Sequence, residues 1–92
     1  MSTLETSIET DLRIGVEIKK GLCLKWTSPE YRGVPDRIVM MPNARIKFVE
    51  TKAPDGVVKS WQDRCHKRLR ALGFEVWVIW TPAQVNSFLK TL

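Results

Sequence analysis

The chain reads as an α/β domain, one mixed four-stranded sheet flanked by helices in the order αβββαβα. Three observations predict it. Apolar residues recur at helical spacing in three separate segments. Two strand-like runs are joined by only four turn-type residues, which makes a hairpin. The last apolar run follows a helical segment, so it should cross over and lie parallel to the strand before it.

Ser2-Thr-Leu-Glu5 has the spacing of a capping box, and Leu4, Ile8, Leu12 and Val16 keep the helical period behind it. Gly21, after Lys19 and Lys20, should cap a first helix running from about residue 3 to 20. Leu22–Trp26 reads as a short strand and 27–35 as a loop rich in Ser, Pro and Gly. Asp36–Met41 and Ile46–Lys52 form the hairpin, with Pro42-Asn-Ala-Arg45 as its connection. Ser60-Trp-Gln-Asp63 should cap a second helix whose stripe is Trp61, Cys65, Leu69 and Leu72, ended by Gly73. Glu75–Trp80 is apolar on both faces after its first residue, which places it at the centre of the sheet. Thr81-Pro-Ala-Gln84 is a second capping box with proline at the first helical position, opening a last short helix.

Ninety-two residues allow one domain, taken as 1–92, whose single small core would gain from a partner subunit. No apolar run approaches the ~20 residues that cross a bilayer, and the N-terminus lacks the layout of a secretory signal, so a cytoplasmic location is expected. Cys23 and Cys65 lack metal-ligand spacing and read as two buried thiols; with one histidine they make no zinc site. Fifteen Lys and Arg against ten Asp and Glu give a net charge of +5. Such a balance suits a polyanionic partner, DNA or RNA first of all.

The acidic residues carry the sharper signal. Side chains alternate along a strand, so Glu50 and Lys52 project from one face. Asp36 opens the neighbouring hairpin strand, which brings it beside them at one end of the sheet. Two carboxylates this close repel unless a cation lies between them, and a hard divalent ion such as Mg²⁺ suits oxygen ligands. Such an ion polarises a phosphodiester and acidifies an attacking water, while a nearby lysine orients that water or stabilises phosphorane charge. Taken singly, a Glu-x-Lys is also the pattern of a solvated ion pair, and an Asp after Pro that of a turn. Their joint occurrence at hairpin spacing points to phosphodiester hydrolysis.

These residues resemble the motifs of the virus-type replication-repair nuclease (VRR-NUC) domains of the PD-(D/E)XK superfamily, above all the stand-alone phage and bacterial type. The matching stretches are Lys25-Trp-Thr-Ser-Pro29, Gly33-Val-Pro-Asp-Arg-Ile-Val39, Phe48-Val-Glu-Thr-Lys-Ala-Pro54, Gln62, Leu72-Gly73 and Val76-Trp-Val78. The resemblance implies a restriction-endonuclease-like fold and a Mg²⁺- or Mn²⁺-dependent deoxyribonuclease. Asp36 and Glu50 would be metal ligands, joined by the Thr51 carbonyl; Lys52 would be the catalytic lysine, and Gln62 would line the site. A glutamate of the first helix would complete the set, Glu9 with Glu5 as its rival. Glycine is common in the family's hairpin connection, so Pro42–Arg45 should make a changed turn with no effect on chemistry.

Stand-alone members resemble Holliday-junction resolvases and act on branched DNA as homodimers; a flap or duplex nuclease, or a catalytically silent DNA-binding module, are the alternatives. Most of Trp26, Phe74, Trp77 and Trp80 are expected in the core and one at a subunit contact. Arg32, Lys59, Arg64 and Lys67 are the candidate phosphate contacts, with Arg68 and Arg70 on the same helix. His66, one turn beyond Gln62, is read as a surface or satisfied histidine, although the helix would allow it to face the site.

Overall fold

A computed structural model describes residues 3–92, with side chains from residue 7 onward. Its elements are α1 (Thr3–Ile18), β1 (Leu22–Lys25), β2 (Arg37–Met41), β3 (Arg45–Thr51), α2 (Ser60–Ala71), β4 (Glu75–Ile79) and α3 (Pro82–Leu89). The order is the expected αβββαβα. Ser2 and the Glu5 side chain, and with them the first capping box, lie outside the described residues.

The four strands form one sheet in the order β1-β2-β3-β4, antiparallel except for the parallel β3–β4 pair. The expected parallel crossover is therefore present, but β4 is an edge strand and not a central one. Apolar residues on both sides of a strand report that both faces are covered, as α3 and α2 cover β4. They carry no information about how many strands flank it.

On one face α1 and α3 pack Ile8, Leu12, Val16, Val85 and Phe88 against Cys23, Val39, Val49 and Ile79. Burying these side chains is the main favourable term in folding, about 25 cal/mol for each Å² of apolar surface. On the other face Trp26, Phe48 and Phe74 stack in sequence, with ring centroids 5.0 and 5.2 Å apart. Trp77 meets Phe88 edge-on at 5.3 Å, and the Trp80 indole donates to the Gly56 carbonyl at 2.8 Å. Cys23 and Cys65 are buried free thiols.

Two helix ends differ from expectation. Lys20 carries the positive φ of 72° after α1, and Gly21 instead sits where a Cβ would run into Met41 Sδ and the Met40 carbonyl. Glycine is needed there for close approach to the sheet, not for its backbone freedom. The N-cap of α2 is Lys59 and not Ser60; the Gln62 side-chain carbonyl reaches back to accept from the Lys59 N–H at 3.0 Å. Thr81 and Gln84 form the capping box of α3 as expected.

Candidate active site

The register of the sheet places the carboxylates. Arg37 lies opposite Val49 and Ile38 opposite Phe48, so the next pair outward brings Asp36 beside Glu50. Asp36 is delivered by the loop 27–35. Gly33 in that loop adopts φ 92° and lies so close to the Trp61 carbonyl that a Cβ would clash. This contact fastens the loop to the first turn of α2 and leaves Pro35 fully buried.

Asp36, Glu50, Thr51, Lys52, Lys59 and Gln62 line one open cavity of about 530 Å³. Asp36 Oδ2 accepts from the Thr51 backbone N–H at 2.9 Å and from its hydroxyl at 3.2 Å. Lys52 Nζ donates to Gln62 Oε1 at 2.8 Å and lies 3.6 Å from Glu50 Oε2. Gln62 Nε2 donates to the same Glu50 oxygen at 3.3 Å. Gln62 thus ties the lysine, the carboxylate and the start of α2 together.

Burial, and after it the charge of Glu50, push the Asp36 carboxyl above the usual carboxylate range, against the opposing pull of the Thr51 hydrogen bonds. Two acidic groups are held closer than they would stand in water, in a cavity open enough to admit a hydrated ion. Among the described residues no group of three His, Cys, Asp or Glu side chains converges. Two carboxylates with room for water fit Mg²⁺, which is bound through one or two carboxylates and keeps several waters, and do not fit zinc. Burial pushes both cysteine thiols up, so neither is an activated nucleophile.

Glu9 does not join this cluster. It is buried on the α1 side of the sheet, its Oε1 3.6 Å from Arg37 Nε, and Arg37 Nη1 donates to the Cys23 carbonyl at 3.5 Å. Of the basic candidates, Lys59 lines the cavity. Arg32 stacks its guanidinium 3.8 Å above the Trp61 ring and with Arg64 borders a separate cavity of about 320 Å³. Lys67 is paired with Asp63 at 2.9 Å on the exposed side of α2. Arg70 donates to the Val76 carbonyl at 2.7 Å, and so staples α2 to β4.

Two residues were missed or misread from sequence. Asp55, which follows Pro54 and is not among the expected site residues, also lines the cavity. His66 is neither at the surface nor satisfied: it is 1% exposed and faces Glu50. Its spacing of four from Gln62 was the available signal.

No protein-family model matches the chain. It is 48% identical over 75 residues to "Putative nuclease p44" of Acyrthosiphon pisum secondary endosymbiont phage 1, covering 82% of this chain and 81% of that protein. A solved structure described as "VRR_NUC domain" superposes with a TM-score of 0.89 at 29% identity, covering 97% of each chain. The mixed sheet with flanking helices is the VRR-NUC fold. With the sequence relative and the superposed structure in agreement, the chain belongs to the VRR-NUC family and is a nuclease.

Proposed function

We propose that this nuclease is a Mg²⁺- or Mn²⁺-dependent endonuclease that hydrolyses phosphodiester bonds in branched DNA, with the four-way junction as its preferred substrate and a homodimer as its working form. The observation that carries the metal dependence is the Asp36–Glu50 juxtaposition, in which burial and mutual repulsion raise the Asp36 carboxyl. A divalent ion held by Asp36, Glu50 and the Thr51 carbonyl would supply Lewis-acid activation of the phosphoryl group and of water.

The remaining work falls to the chain itself. Lys52, fixed by Gln62 at 2.8 Å, presents a cation beside the carboxylates to orient water or to offset charge building on the phosphoryl oxygens. Thr51 holds Asp36 through two hydrogen bonds, so its carboxylate needs no reorganisation when substrate arrives. Lys59 in the cavity, and Arg32 and Arg64 in the second one beside Trp61, suit phosphates of the same duplex; Lys67 would reach the backbone further along α2. Glu9 enters this set from the family resemblance alone, and it would act through Arg37, the residue next to Asp36.

The homodimer is supported by a face that α2 leaves bare. Leu22, Met40 and Ile46 form one row across the sheet, and Leu24 and Ile38 begin the next, which runs in to the buried Phe48. Leu22, Leu24 and Ile46 are 55%, 45% and 39% exposed. Apolar rows of this kind on a small protein are what a second subunit covers. A two-fold dimer also matches the symmetry of a four-way junction and would present two sites to paired strands. Among the described residues no helix is long and apolar enough to cross a membrane, and we place the enzyme in the cytoplasm of a bacterial cell or phage-infected host.

The test is cleavage of labelled four-way junction, flap, linear duplex and single-stranded DNA with Mg²⁺, Mn²⁺ or EDTA, beside Asp36→Ala and Lys52→Ala. Paired, metal-dependent cuts in the junction that vanish in both variants are expected. Cleavage of flap or duplex alone would remove the junction from the proposal; cleavage that persists in EDTA would overturn the metal site.

A further inference from the structure

His66 lies one turn after Gln62 on α2, between the sheet and the helix, with 1% of its surface exposed. Its Nε2 stands 3.7 Å from Glu50 Oε1. Both atoms are shielded from solvent and neither has a hydrogen-bond partner among the described residues. At 3.7 Å the two are outside hydrogen-bond range, and a modest turn of the carboxylate closes the gap.

The position is informative because an aliphatic side chain would be the cheaper occupant. Its neighbours on the helix stripe, Cys65 and Leu69, are apolar, and burying an imidazole N–H without a partner is unfavourable. The histidine makes physical sense only as the counterpart of Glu50. Without it, Glu50 Oε1 would be a shielded carboxylate oxygen with no donor near it.

The two oxygens of Glu50 are consequently divided. Oε2 faces Gln62 Nε2 at 3.3 Å and Lys52 Nζ at 3.6 Å, on the cavity side. Oε1 faces His66. With the His66 gap closed, a carboxylate engaged from both sides is held against rotation about its terminal bond, and the oxygen offered to the cavity is set in advance.

We propose that His66 is a positioning residue: it fixes the rotation of the Glu50 carboxylate from the side opposite Gln62, and so sets the affinity of the site for a divalent cation. The inference rests on the reading of Glu50 as a metal ligand. Ligands that lose their outer hydrogen-bond partner typically lose about 10–100-fold in metal affinity.

The experiment is calorimetric titration of Mn²⁺ into metal-free protein, with melting curves to confirm that each variant is folded. His66→Leu is expected to bind Mn²⁺ about 10–100-fold more weakly than the unaltered chain. His66→Gln places an amide N–H where the Nε2–H stands and is expected to bind within about threefold of it. His66→Asn, whose amide lies near the Nδ1 position and falls short of Oε1, is expected to behave as the leucine variant does. It serves in place of His66→Leu if that variant does not fold. Full affinity in a folded Leu or Asn variant would overturn the proposal, as would a folded Gln variant no better than either. An unaltered chain that binds no Mn²⁺, or a Glu50→Gln variant that binds it normally, would instead remove the reading of Glu50 as a ligand.

Discussion

On the α1 side of the sheet Ile8, Leu12, Val39, Val49, Ile79 and Phe88 are all fully shielded from solvent. On the α2 side the same strands carry Asp36, Glu50 and Lys52 at one end and the exposed Leu22, Leu24 and Ile46 at the other. One face spends its residues on burial; the other keeps charge, open volume and uncovered apolar rows. Stability and chemistry are thereby separated across a layer one strand thick. Each face can be altered with little consequence for the other, and that separation is open to test.

The sharpest test is Phe88→Ala, since Phe88 is fully buried and remote from the carboxylates. Deleting a buried aromatic ring lowers stability by about 3–5 kcal/mol. Denaturant unfolding should show this loss, while the cleavage rate of the still-folded fraction at low temperature stays unchanged. A rate that falls with stability would mean that the two faces are coupled. On the other side, Leu24→Glu places a charge on the edge strand β1, at the outer end of an uncovered row. Weakening of the proposed dimer by about 1–2 kcal/mol is the expected size for a contact of this kind, read by sedimentation against concentration. The monomer should unfold much as before, because a side chain already 45% exposed contributes little to the core. An unchanged association constant would remove this face from the proposed dimer, and a chain that sediments as a monomer at every concentration would remove the dimer itself.

The polar end of the α2 face should also reveal itself through pH. Burial and the neighbouring Glu50 charge raise the Asp36 carboxyl, so the folded metal-free chain holds that proton more tightly than the unfolded chain. The group's favourable contribution is complete below its unfolded pKa and is lost as pH rises through the raised folded value. Metal-free Asp36→Asn should therefore melt higher than the unaltered chain at neutral pH, with the advantage disappearing in acid. Added Mn²⁺ should reverse the order by stabilising the unaltered chain alone. A variant that melts lower at neutral pH would show that the Thr51 hydrogen bonds outweigh burial and repulsion.

How much of this was legible in the sequence depends on the range of the interaction that encodes each feature. Helix ends such as Thr81-Pro-Ala-Gln84 are set within four residues, and the whole order of elements followed from signals of that range. The approach of Asp36 to Glu50 and Lys52 was legible because a short hairpin has few registers, and alternation then decides which side chains share a face. The edge position of β4 was not, since periodicity encodes covered faces and not lateral neighbours. His66 was misread for a related reason. Its spacing from Gln62 allowed it to face the site, but only the rotation of α2 against the sheet decides which stripe residue meets Glu50. Glu9 rests on the family resemblance, and Arg37, one residue beyond Asp36 and so on the opposite face of the strand, is what it meets.

The smallest effect is expected where the chain belongs to neither face. In the hairpin connection Asn43 and Ala44 both adopt positive φ, 67° and 60°. The register pairs Met41 with Arg45, so the connection is the three residues Pro42-Asn43-Ala44, and its left-handed positions favour asparagine or glycine. The expected change of turn is thus a change of residue: alanine holds the conformation that glycine adopts without a steric penalty. A left-handed alanine costs about 1–2 kcal/mol, and glycine gives back part of that gain through the freedom of the unfolded chain. Ala44→Gly should therefore stabilise the protein by about 0.5–1 kcal/mol, measured by denaturant unfolding. Cleavage should be unaffected, because the turn lies at the end of β2 and β3 away from Asp36 and Glu50. A stabilised chain with altered cleavage would show that strain in the hairpin reaches the carboxylates along β3, and the separation of the two faces would then be incomplete.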